Sequence, residues 1–519
     1  MGKSEALPTE KYDHTVRVGG GGPAHPCKES GHKESSMDSK GLLGVQYRPL
    51  SDDQVRTIHE ASLTVLEKTG FTFESGLEDT LEMLEKAGAS VDRQRARIRF
   101  PRELITRAVS KAPRRVILYS RDGKNDLDLT EHRVHLGTGG AAIRILDLET
   151  GKARPSTLRD LYLLGRLVDR LDNVHFFLRP CVPTDIPQGD YDVNVYYASL
   201  RATGKHAMAG VNDVDGFYRV LDLASLVAGG PKNLKAKPFV SVITSFAISP
   251  LKLCTQSTLI MREAARNHIP VALSCAPMAG STSPITMAGT LVQLHAEQLV
   301  GIAICQLTSP GCPLLYGGIP GMANLRTMGY LGGAVECGVM NAAAHQLSHF
   351  INVPNYNSSG LTDSKVPDAQ AGWEKGLTTL MAAMGGSNFV HHAAGMLESM
   401  LAVSYEQFVM DDEIIGMCCK ALRGIEVDAE HLALDTIDAV GPGANFMMAE
   451  HTLKHLHDEY YPGNGVSDRR SRVKWEKEGG RDARERAREM VKRILAGEEK
   501  PYISEAVDKA IRERFNILL

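Results

Sequence analysis

From Arg133 onward the chain repeats one unit, a short β-like run followed by a helical stretch. The runs are VHLGTG (134–139), VHFFLRPCV (174–182), KHAMAGV (205–211), PFVSVITSF (238–246), PVALSCAPM (270–278), CPLLYGGI (312–319), PNYNSSG (354–360) and NFVHHAAGM (388–396). Stretches such as SPLKLCTQSTLIMREAARNH and SPITMAGTLVQLHAEQLVGIAICQL fill the intervals with helical patterning. Eight units spaced roughly 30–43 residues apart predict an α/β chain with the strand and helix count of a (β/α)8 TIM barrel. A doubly wound open sheet is the competing topology. A barrel absorbs most of the 519 residues in one domain, where length alone would allow three.

The flanks read differently. Residues 1–45 carry GGGG and a Pro, Ser, Lys and His mixture without periodicity, which predicts a flexible or extended arm. Residues 46–130 open with SDDQVRTIHEASLTVLEKTG, whose acidic start, apolar spacing and closing Gly70 predict a helix and, with the helices after it, an N-terminal cap. The barrel is placed at 131–465. Residues 466–519 are charge-rich, and the stripe in RDARERAREMVKRIL predicts a C-terminal helical tail packed on the barrel.

Charge and composition exclude several classes. With 59 Lys and Arg against 62 Asp and Glu, the net charge of −3 offers no general attraction to nucleic acid or anionic lipid. No apolar run is long enough for a membrane helix, and the start MGKSEALPTEKYDH has no signal-like core, so a cytoplasmic protein is expected. The nine cysteines form no CxxC and read as buried thiols in a reducing compartment.

In a barrel, the loops after the strands build the active site. Here they are rich in glycine, at Gly137 to Gly140, Gly210, Gly317, Gly318, Gly360 and Gly395. Either a large flat group approaches the mouth or the turns are simply tight. Arg179, Tyr316, Asn355, Asn357, His391, His392 and Glu398 lie on or just after predicted strands. Alternation along a strand means that His391 and His392 cannot both point the same way, so one is expected to face the interior. HExxH and paired cysteines at ligand spacing are missing, so no catalytic metal is expected. Nucleotide-binding and serine-hydrolase motifs are missing too. Glu297 and His295 sit in a strongly apolar helix, and Glu336 begins another. Each carboxylate there serves either a structural hydrogen bond or catalysis.

The stretch SGLTDSKVPDAQAGWEK (359–375) resembles a segment of the trimethylamine methyltransferase (MttB) superfamily, and the likeness extends to residues 283–311, 393–414 and VGPGANF (440–446). The resemblance implies a (β/α)8 barrel that moves a methyl group from a methylated amine to Co(I) of a corrinoid carried by a separate protein. The bare loops would then form the floor for the corrin ring. Archaeal members that act on trimethylamine carry pyrrolysine two residues before the aspartate of this segment; here Leu361 stands two before Asp363. The resemblance therefore points to members without pyrrolysine, such as glycine betaine methyltransferase, which use quaternary amines. The chemistry agrees, because a quaternary ammonium already releases a neutral tertiary amine once its methyl departs.

A site for such a cation should offer aromatic faces and a carboxylate. The candidates are Phe246, Tyr316, Tyr356, Phe389, Tyr405 and Phe446, with Glu297 or Glu398 as the anion and Leu361 at the pyrrolysine position. Arg179, His391, His392 and the amides of the GPG loop are candidates for a substrate carboxylate, and Asn357 is a further substrate-binding candidate. The leading expectation is a methyltransferase with cobalamin presented in trans by a corrinoid-binding protein, no tightly bound cofactor and a homo-oligomeric assembly. Transfer to tetrahydrofolate or a thiol is the enzymatic alternative. A betaine-binding or sensing protein without turnover is the other.

Overall fold

The computed structural model describes residues 41–519. The first 40 residues of the expected arm lie outside the described residues. The end of that arm, Leu42–Leu43, pairs antiparallel with Val134 and Arg133.

Eight short strands alternate with eight helices in the predicted order. The strands are β1 (Arg133–Leu136), β2 (Phe177–Leu178), β3 (Ala207–Ala209), β4 (Val240–Thr244), β5 (Val271–Cys275), β6 (Leu314–Gly318), β7 (Tyr356–Ser358) and β8 (Phe389–His391). Before them come α1 (Asp52–Lys68), α2 (Glu78–Ala87) and α3 (Arg102–Val109). The interleaved helices are α4 (Leu158–Val168), α5 (Tyr191–Ala202), α6 (Val214–Val227), α7 (Thr255–Arg266), α8 (Met287–Thr308), α9 (Val335–Phe350), α10 (Ala369–Met384) and α11 (Tyr405–Arg423). The strands are shorter than the β-like runs. In the second run the ladder stops before Pro180, which has no N–H to donate.

Strands β2 to β6 form one parallel sheet, and β7, β8 and β1 pair in parallel in a second. Among the described residues, no strand ladder crosses between the two sheets. Isolated bonds do. At one seam Tyr316 N donates to Pro354 O at 2.9 Å, and at the other His175 N donates to Leu136 O at 2.8 Å. Between the sheets lies a cluster of Phe176, Leu178, Met208, Ala272, Leu315, Tyr356 and Phe389. The antiparallel hairpin Arg115–Leu118 with Leu127–Thr130 adds Val116, Leu118, Leu127 and Leu129 to this cluster.

Helix α8 is buried along nearly its whole length because α1 and α3 pack on it. A helix apolar on every side fits such a sandwiched position. The tail helices α12 (Ala483–Ala496) and α13 (Glu505–Arg514) bury Ala487, Val491 and Ile511 in the core that includes α4, α5 and α11. Arg488 donates to the buried carboxylate of Glu406 at 3.0 Å. Among the described residues, no helix is long and apolar enough to cross a membrane.

Candidate functional site

A cavity of about 800 Å³ lies where the chain leaves the strands, lined by loops after β1, β2, β3, β4, β6, β7 and β8. Side-chain alternation decides which strand residues reach it. In β7, Tyr356 shares a face with Ser358 and lines the cavity, while Asn357 points to the opposite face and donates its Nδ2 to Asn341 O on α9. In β8, Phe389 and His391 share the inner face, and His391 reaches the cavity above the phenyl ring.

Tyr356 and His391 stack at 4.0 Å between ring centroids. Tyr356 stacks in turn on Phe389, which stacks on Phe176 at 3.6 Å. Neither ring nitrogen of His391 has a hydrogen-bond partner, and neither the Tyr356 hydroxyl nor the Arg179 Nε has one. Four orphaned buried polar atoms in one cavity are unusual, because such groups are nearly always paired in folded proteins. Arg179 follows β2, with its NH1 donating to the Tyr191 hydroxyl at 3.1 Å.

Contrary to the alternation argument, both histidines line the cavity. The strand ends at His391, and His392 takes φ +67°, which turns it back toward the mouth. Its Nδ1 lies 2.7 Å from Ser358 Oγ. Burial holds His391 well below the usual imidazole range. Burial, aided by the Lys375 charge, takes His392 down to about 3. Both rings are neutral near pH 7.

Glu398 begins a strained turn in which Glu398, Ser399 and Met400 all have positive φ, at 49°, 51° and 80°. Such strain persists only where surrounding contacts over-determine it. Here the segment 359–375 supplies them. Glu398 N donates to Ser364 O at 2.9 Å, Ser399 N to Thr362 O at 2.8 Å, and the Ser399 hydroxyl to the Asp363 carboxylate. The Glu398 carboxylate stands 3.7 Å from Arg144. Lys375, fully buried on α10, donates to Gly360 O and to Met396 O, and pairs with buried Asp411 at 3.2 Å. It ties the loops after β7 and β8 together.

Of the predicted candidates, Arg179, Tyr356, His391, His392 and Glu398 line the cavity. The others do not. Tyr316 faces outward from β6, its hydroxyl 3.1 Å from His295 Nδ1 on α8. Phe246 is buried in the cluster shared by α8 and the N-terminal helices, against Gly301. Glu297 accepts bonds from Ser249 Oγ at 2.8 Å and from Leu251 N and Gln293 Nε2 at 3.1 Å, while burial raises its pKa to about 7. That is the structural alternative for this carboxylate. Leu361 is buried near Gly332. Tyr405 donates to Asp160 at 3.0 Å. Phe446 is 42% exposed on the segment beyond α11. Phe389 supports the site from below.

Sequence reasoning missed Lys365 and Tyr330, which line the cavity, and the Lys375–Asp411 pair behind it. A lysine within an otherwise buried helix face was the available signal for Lys375. Some of the glycines are required by packing. A Cβ on Gly317 would collide with the Leu273 carbonyl, and one on Gly395 with the Phe408 ring. Gly140 and Gly210 do line the cavity, and a Cβ on Gly210 would meet only ordinary contacts.

A family profile described as trimethylamine methyltransferase (MTTB) matches residues 26–516. The chain is 36% identical over 459 residues to the trimethylamine methyltransferase MttB of Desulfitobacterium hafniense (strain DSM 10664 / DCB-2), covering 88% of this chain and 90% of that protein. It is 33% identical over 474 residues to the glycine betaine methyltransferase of D. hafniense (strain Y51), covering 91% and 97%. It is 33% identical over 462 residues to MttB of Methanosarcina barkeri (strain Fusaro / DSM 804), covering 88% and 92%. Among solved structures, a dihydropteroate synthase from Stenotrophomonas maltophilia is similar over 59% of this chain and 99% of its own, with a TM-score of 0.35 and 9% identity, too slight a likeness to establish the fold.

Proposed function

The chain belongs to the trimethylamine methyltransferase (MTTB) family and is a methyltransferase, and on that premise we propose that it demethylates a quaternary amine of the glycine betaine type. In this reading the two sheets close as a (β/α)8 barrel through their bonded seams, with the N-terminal helices as cap and the C-terminal helices as tail. The acceptor is Co(I) of a corrinoid on a separate protein, which supplies the nucleophile.

The observation that carries the reading is the cavity's set of unpartnered groups: Arg179 Nε, the Tyr356 hydroxyl and both nitrogens of His391. Together with Lys365 and Glu398 they suit a zwitterion. Arg179 and Lys365 are suited to a carboxylate, and the faces of Tyr356 and Tyr330 with Glu398 to a trimethylammonium group. As the methyl leaves, the C–N bonding electrons stay on nitrogen and a neutral tertiary amine results. No proton needs to be delivered, which fits two neutral histidines and an aliphatic Leu361. The residues' task is to hold the methyl carbon in line and to exclude water, which favours a transition state in which opposite charges cancel.

The rim fits an apolar macrocycle and its carrier. Ile143, Ile248, Ile285, Leu325, Met328 and Leu401, all in loops after strands, are exposed. A homo-oligomer belongs to the same proposal, supported by exposed Ile425, Met447 and Met448 beyond α11. So does a cytoplasmic location, suited to unpaired buried thiols such as Cys275 and Cys305.

The test is to mix the protein with glycine betaine and Co(I) cobalamin and follow loss of the Co(I) absorbance together with formation of dimethylglycine. Both are expected. Failure with every betaine, carnitine, choline and methylamine tried, with or without a corrinoid protein, would overturn the proposal.

A further inference from the structure

We propose that the chain carries a second, unassigned site, a three-histidine centre for a divalent transition metal of the zinc type, at the opposite end of the strands from the cavity above. His132 immediately precedes β1. His345 and His349 are four residues apart on α9, so they lie on one face of the helix. One ligand nitrogen from each of the three lies within 4.8 Å of the others. His132 Nδ1 is 2.9 Å from His345 Nε2, and the His132 and His349 rings are 4.1 Å apart.

The protonation pattern of His345 is set by its neighbours. Asn355 Oδ1 accepts from Asn388 N at 2.7 Å, which fixes that atom as the amide oxygen. It lies 3.2 Å from His345 Nδ1, so Nδ1 carries the hydrogen and Nε2 accepts from His132 Nδ1 at 2.9 Å, the proton that a metal ion between them would displace. An imidazole whose distal N–H donates to a carbonyl oxygen is the usual arrangement of a metal ligand. Sequence spacing does not reveal this centre, because one ligand stands more than two hundred residues from the other two.

Nitrogen-only donors suit zinc, copper, nickel or cobalt rather than magnesium or calcium. Metal–nitrogen bonds of about 2.0–2.1 Å in tetrahedral geometry place ligand nitrogens roughly 3.4 Å apart. His132 and His345 therefore separate slightly on binding, and His349, which is exposed, swings inward. The three imidazoles border a cavity of about 290 Å³ that Arg48, Asp52, Arg56 and Gln346 also line. The fourth coordination position faces this space and is open to water or a small anion, for which the arginines are suited.

The experiment uses the full chain without a histidine tag, stripped with chelator and titrated with Co²⁺ and then Zn²⁺. One Co²⁺ per chain, with visible d–d absorption that Zn²⁺ abolishes, is the expected result. His349→Ala, at an exposed position, should weaken Co²⁺ binding roughly tenfold or more. His431→Ala, in the separate surface group of Glu426, Asp428 and His431, should leave it unchanged. Absence of the d–d signal, or a signal lost in His431→Ala and kept in His349→Ala and His132→Ala, would overturn the proposal.

Discussion

The outward face of Tyr316 and the inward face of Tyr356 give a paired prediction. Both are fully buried tyrosines on neighbouring strands, yet only Tyr356 lines the cavity. Replacing Tyr356 by Leu removes one aromatic face from the cation site. At ~0.5–2 kcal/mol per face, the dissociation constant for glycine betaine should rise roughly 2–30-fold. Tyr356→Phe keeps the ring and deletes a hydroxyl that has no hydrogen-bond partner, so stability should not fall. Tyr316→Phe should do the reverse. It leaves betaine binding unchanged but strips His295 Nδ1 of its 3.1 Å partner in a fully buried setting. The expected loss is about 1–3 kcal/mol of stability. Titration calorimetry with glycine betaine reads the first quantity and denaturant midpoints read the second. If Tyr316→Phe weakens betaine binding as much as Tyr356→Leu does, the strand-face reasoning and the site built on it are wrong.

Three further outcomes can be checked. Arg179→Ala should weaken glycine betaine binding by ~1.5–3 kcal/mol, roughly ten- to hundredfold, while binding of choline, which has no carboxylate, stays within twofold; equal losses for both ligands would remove Arg179 from carboxylate recognition. Burial lowers His206 to about 4 and His392 to about 3, against 6.5 for the free side chain. The unfolded chain thus binds these protons more tightly, so the stability these two groups contribute is present above pH 6.5 and is lost as pH drops toward 4, by on the order of 2 kcal/mol per histidine at pH 5. Because buried carboxylates such as Glu297, raised to about 7, gain stability over the same range, the contribution is read as the difference in denaturation midpoints between the parent and His392→Gln; a difference that stays the same from pH 7 to 5 would refute this. Lys375→Met leaves buried Asp411 without its 3.2 Å partner, and should cost about 3–5 kcal/mol of stability; Lys375→Met with Asp411→Leu should recover a large part, as chemical denaturation of the single and double variants would show.

Why the strand–helix order was legible while much of the site was not comes down to the length scale of each signal. The strand–helix alternation persists over more than two hundred residues, so errors in single strands average out. Membership of the cavity is decided by one residue of register, because successive side chains leave a strand on opposite faces. Tyr316 and Asn357 sit next to inward positions and point the other way. At strand ends even alternation fails, since the positive φ of His392 returns it to the side His391 occupies. Glu297 and His295 announced themselves as polar groups in an apolar helix, but their partners come from a loop 46 residues away and from α1, 236 residues away. Sequence spacing cannot pair such groups. The segment 359–375 shows both sides of this: its likeness to a family was readable directly, whereas its physical work, clamping the Glu398 turn and burying Lys375 against Asp411, depends on contacts with residues 396–411 that only folding brings together. The signature thus acts mainly by holding the cavity's wall in a strained shape, and the residues that line the cavity are supplied largely by other loops.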